Sequence, residues 1–163
     1  MLPSGAAVRW FFEDNYAIGN AWWETSLNLA EPFREIALSR ALGFYELGFQ
    51  VTPDELTSQL NETKILELGK YFLFEKNDLP NAFSVLAQCS NAEFKHVAEL
   101  ELTPEKTLEQ TIKLGDAWFS IAQSLKPDRQ NTAYLRAALC YKDAVDKTQG
   151  LEKARLQKRL IDS

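Results

Sequence analysis

This chain has one histidine, His96, and no Cys or carboxylate cluster around it forms a recognisable ligand motif, so a His/Cys zinc site is not expected. A Ser-His-Asp triad would have to use that one residue, and no Gly-x-Ser-x-Gly elbow exists to present the serine. Gly-x-Gly-x-x-Gly and Walker-type phosphate loops are absent, so the sequence assigns no cofactor. Two cysteines, Cys89 and Cys140, cannot make a disulfide framework, and their apolar neighbours predict buried free thiols. No apolar run approaches the ~18 residues of a membrane span and no signal-peptide core is present, so no membrane insertion is expected and the compartment stays open. The formal charge of −5 argues against nucleic acid, which needs a concentrated basic face. The one dense basic stretch, Lys153 to Arg159, is read as the solvated face of a last helix. Only seven Gly and six Pro, with no alternating β-branched runs, lean the chain towards α.

What is present is repetition. Gly19-Asn20-Ala21-Trp22-Trp23 returns as Gly115-Asp116-Ala117-Trp118-Phe119, 96 residues later (115 − 19). The match holds in register through Ala37 and Ala133, Arg40-Ala41 and Arg136-Ala137, and Tyr45 and Tyr141. A third marker, Leu68-Gly69-x-x-Phe72, shares the aliphatic-Gly-x-x-aromatic pattern with Ile18 to Trp22 and Leu114 to Trp118. A glycine inside a helix costs roughly 1 kcal/mol relative to alanine, so its recurrence predicts close approach of a neighbouring helix. The flanking aliphatic and aromatic residues, four apart, share one helix face.

Breaks separate these helices from partners. Glu31-Pro32 divides a helix over about 9–29 from one over about 32–48, and Lys126-Pro127-Asp128 does the same in the last copy. Lys76-Asn77-Asp78 turns the chain between about 63–75 and 79–88. Thr52-Pro53-Asp54-Glu55 reads as a capping box, Thr103-Pro104-Glu105 as the start of the helix carrying Trp118, and Asn91 as the cap of a helix to Leu100. Gly150 precedes a final helix. The expectation is one all-α domain, residues 1–163, with units at about 9–50, 53–101 and 103–149 and a terminal helix at 150–162.

The pattern resembles a tetratricopeptide repeat, although these units exceed its ~34 residues. A closer likeness covers Thr63 to Leu160, with Ile18 to Gly48 as a further unit. Its residues are Leu114-Gly115-Asp116-Ala117-Trp118-Phe119, Arg136-Ala137 with Tyr141, and Gly150-Leu151 through Lys158-Arg159-Leu160. They resemble a helical module of large multi-domain proteins from planctomycete-type bacteria. The resemblance implies a tetratricopeptide-like α-solenoid of antiparallel hairpins with a C-terminal capping helix, and no activity. The chain runs at once into its first repeat, as expected of a domain excised from a longer protein.

Candidate binding residues follow from the repeat. Trp22 and Trp118 are expected in the core, while Trp23 and Phe119, one position round the helix, are candidates for a groove. Arg40 and Arg136 recur beside Ala; each either clamps a carboxylate of a bound peptide or makes an internal pair, for instance with Asp116. Glu13-Asp14 and Glu99/Glu101 read as solvated faces. The resulting expectation is a non-catalytic protein–protein interaction or scaffolding module with a protein or peptide partner, including a domain of the same parent chain. The alternative is an accessory carbohydrate-binding domain using exposed Trp10, Trp23 or Phe119.

Overall fold

The computed structural model describes residues 5–163, with side chains from Phe11 onward, so Trp10 lies outside the described side chains. Among the described residues the chain is all-helical: nine α-helices, one π-helical stretch and no strand. It divides into two compact units, the first ending at Tyr71 and the second starting at Phe72. That boundary falls inside the segment read from sequence as the middle repeat.

In the first unit, α1 (Gly5–Leu27) and α2 (Phe33–Val51) pack as a hairpin, and α3 (Pro53–Gln59) and α4 (Glu62–Lys70) pack back against α2. Pro32 directly precedes α2, and Pro53 opens α3 at its first turn, where a missing N–H costs nothing. The Thr52 capping box is not made: its side chain caps nothing, and its hydroxyl is buried without a partner. Asn61 caps α4 instead, accepting from Lys64 N at 3.0 Å.

A π-helical stretch, Tyr71–Lys76, continues from α4 into the second unit. Asn77 then takes the left-handed conformation, φ 51°, which asparagine tolerates, and Asp78 caps α5 (Leu79–Leu86). Next come α6 (Ala92–Leu102), capped by Asn91 as its sequence predicts, α7 (Leu108–Ser124), α8 (Pro127–Val145) and α9 (Gly150–Asp162). The start of α7 differs from expectation. Pro104 and Glu105 lie in a bend, and the true capping box is Thr107 with Gln110, so reciprocal side-chain bonds outcompete the Pro signal. Within this unit α6 packs on both α5 and α7, α7 pairs with α8, and α9 packs on α8.

The two hairpins are held by the same contact. A Cβ on Gly19 would stand 2.7 Å from the Tyr45 ring, and one on Gly115 would stand 2.8 Å from the Tyr141 ring. Both tyrosines are fully buried. The repeated glycine is therefore the cleft that admits the repeated tyrosine of the partner helix. Ala37, Ala41, Ala133 and Ala137 are buried along the same seam, as close helix approach requires.

Candidate functional site

Each buried tyrosine brings a hydroxyl into the seam, and burying it without a partner would cost about 1–3 kcal/mol. Tyr45 donates to Asn20 Oδ1 at 2.7 Å, and Tyr141 donates to Asp116 Oδ1 at 2.8 Å. The acceptor is the residue after the glycine in both copies. Burial is the main cause that holds both phenols above their ordinary pKa, and the Asp116 hydrogen bond adds to it at Tyr141.

A cation from a third helix completes each arrangement. In the first unit, Lys64 of α4 donates to Asn20 Oδ1 and lies 5.5 Å from the centre of the Trp23 ring and 5.9 Å from that of Tyr45. In the second, Arg155 of α9 donates to Asp116 Oδ2 at 3.1 Å, and Arg159 lies 4.3 Å over Phe119. One lysine thus does in the first copy what two arginines do in the second. Burial lowers the Lys64 pKa, partly opposed by Glu24. The flanking carboxylates of Glu152 and Asp116 raise that of Arg155.

These contacts correct the groove expectation for Trp23 and Phe119. Each is only 7% exposed, covered by the cation of the third helix rather than turned to solvent. The basic stretch at Lys153–Arg159 is likewise not simply a solvated face, because Arg155 and Arg159 reach back onto α7. Sequence reasoning passed over Lys64, for which the 96-residue offset offers no counterpart.

The other face of the second hairpin carries the charged pair. Arg136 is bound to Glu101 of α6, not to Asp116, and its guanidinium lies 5.9 Å from the centre of the Trp118 ring and 5.5 Å from that of Phe83. Glu101 also accepts from Trp118 Nε1 at 2.9 Å. Its side chain is 10% exposed, so this glutamate belongs to a buried junction and not to the solvated face that the Glu99/Glu101 spacing suggested. Trp118 itself is fully buried, with Phe83 at 6.2 Å between ring centroids.

No family model, curated protein or solved structure matches the chain.

A cleft of about 350 Å³ opens beside this junction, lined by Glu101, Lys106, Leu114, Arg136 and Cys140 among others. Its two cations are engaged: Lys106 donates to the Glu101 and Thr103 carbonyls, and Arg136 to the Glu101 carboxylate. Burial, with Glu101 adding to it, pushes the Cys140 thiol up to about 11, leaving no thiolate nucleophile near neutral pH. Among the described residues, no group of three His, Cys, Asp or Glu is placed to hold a metal ion, and His96 is exposed.

The first hairpin differs at the matching face. Arg40 lies 5.2 Å over the Trp22 ring, repeating the Arg136–Trp118 stack. Yet Arg40 is exposed and Trp22 half-buried, and no carboxylate among the described residues pairs with this arginine. Of the four residues singled out from sequence, Arg40 alone is presented to solvent.

Proposed function

We propose that this chain is a non-catalytic protein–protein interaction or scaffolding module of tetratricopeptide-like stacked hairpins, part of a larger multi-domain protein of the bacterial type it resembles. The observation that carries this reading is the repeated hairpin: a glycine–tyrosine seam, cationic cover from a third helix and an Arg–Trp stack, built twice. Such duplication supports a stack of units that bury their faces on neighbours. The polar groups beside the buried aromatics are engaged inside each hairpin and the helix packed on it, and the reading gives them no catalytic role. Its partner is a protein or peptide, including a neighbouring domain. The carbohydrate alternative loses two of its three named platforms, because Trp23 and Phe119 lie beneath Lys64 and Arg159, and the third, Trp10, lies outside the described side chains.

Cross-linking of the purified chain in lysate of its source cells, read by mass spectrometry, tests this. Reproducible cross-links to one protein, or to one other domain of its parent protein, are expected. Absence of any above a scrambled-charge control would remove the reading.

A further inference from the structure

The 96-residue offset pairs Leu114, Trp118 and Arg136 of the α7–α8 face with Ile18, Trp22 and Arg40 on α1–α2, but only one of the two faces is covered. Leu114 and Trp118 of α7 are 3% and 0% exposed, because α6 lies against α7 and α5 supplies Phe83. Their counterparts on α1 are Ile18, 43% exposed, and the half-buried Trp22. On α2, Phe33 and Ile36 precede Arg40 at helical spacing and are exposed as well. Trp118 gives its indole N–H to Glu101, whereas no acceptor among the described residues takes that of Trp22. Arg136 has the Glu101 carboxylate, and Arg40 has the ring of Trp22 but no counter-ion.

We propose that the Trp22–Arg40 face of α1–α2 is the docking surface for an amphipathic helix of a partner protein that carries the chemistry of α6. That helix buries Phe94, Val97 and Ala98 and brings Glu101 to the Trp–Arg stack. Its pattern is an aromatic, then an aliphatic and a small residue three and four positions on, then glutamate at the seventh, all on one face. The partner's glutamate accepts from Trp22 Nε1 and pairs with Arg40, while its apolar ridge covers Ile18 and Ile36. Charge argues against a second copy docking through its terminal helix. The α9 helix carries Lys153, Arg155, Lys158 and Arg159 and would bring like charge to Arg40. This proposal rests on the interaction-module reading and specifies where it acts.

The test is a peptide of this chain's own residues 91–103, side-chain cross-linked between positions 92 and 96, which are exposed on α6, to hold the helix a free 13-mer would lose. It is titrated into the intact chain and followed by NMR at the tryptophan indole N–H groups. Saturable shifts at Trp22 are expected, with Trp118 unmoved. A peptide with Glu101→Lys should bind about tenfold more weakly or worse, as should the natural peptide with Arg40→Glu chain, and combining the two changes should restore binding. No saturable shift at Trp22, shifts centred on Trp118 through exchange with α6, or binding indifferent to Arg40→Glu would each overturn the proposal. The module reading would survive such a failure if lysate cross-links still map elsewhere on the chain, and both fall if those are absent too.

Discussion

The Tyr141 hydroxyl reaches Asp116 at 2.8 Å while its ring fills the space a Cβ on Gly115 would need, and Tyr45 stands in the same relation to Asn20 and Gly19. One residue step, Gly followed by Asn or Asp, thus serves both shape and polarity: the glycine admits the ring and its neighbour satisfies the hydroxyl.

Gly115→Ala should therefore destabilise the chain although alanine is the better helix former. The new Cβ meets the Tyr141 ring at 2.8 Å and Cys140 Cβ at 3.2 Å, overpacking that costs about 1–3 kcal/mol. Gly43→Ala is the control. It has nothing within 4 Å and should stabilise α2 by about 0.5–1 kcal/mol. Urea midpoints of the two variants should move in opposite directions.

Glu101→Leu leaves both the Arg136 guanidinium and the Trp118 indole N–H without their acceptor in a largely covered junction. A loss of about 2–3 kcal/mol is expected. Adding Arg136→Met should recover part of it, since the second change removes the orphaned charge. A double-mutant cycle by thermal unfolding measures that coupling, and strict additivity would contradict the pairing.

Alkaline pH should unfold the chain through its buried phenols. Folding raises the pKa of Tyr45 and Tyr141, so their contribution is complete below the ordinary value of about 10 and is lost as pH climbs beyond it. Tyr45→Phe and Tyr141→Phe should each flatten the fall of stability above pH ~10. Stability profiles with phenolate absorbance read both quantities.

Lys64 works with the opposite sign. Burial lowers its pKa in the folded state, so the unfolded chain holds the extra proton between that lowered value and the ordinary 10.5. Stability gains as pH rises through this window, and Lys64→Met should abolish the gain. At neutral pH the substitution should change stability by less than about 1.5 kcal/mol, because Asn20 keeps the Tyr45 hydroxyl and the stem volume is conserved.

Much of the helix plan was legible in residues. The Pro32 and Pro127 breaks, the Asn91 cap and the 96-residue echo read directly onto α2, α8, α6 and the twin hairpins. Local chemistry misled where two signals competed: Thr103-Pro104-Glu105 looked like a helix start, yet Thr107 and Gln110 satisfied each other three residues on. Glu101 looked like surface because it stands two residues from Glu99, a spacing at which helix side chains do not face each other. Only packing shows that it faces Trp118 and Arg136, contributed by two other helices.

Side-chain identity and helical period determined where the helices run and which residues recur. They also determined that glycine and tyrosine recur together, because each imposes a local or near-neighbour constraint. Exposure is different, since it belongs to whatever lies opposite. Trp22 and Trp118 occupy the same place in the echo, and Arg40 and Arg136 stack on them alike. The tertiary structure alone decided that one pair lies under α6 with a glutamate and the other stands open, because the covering helix comes from residues outside the repeated segments.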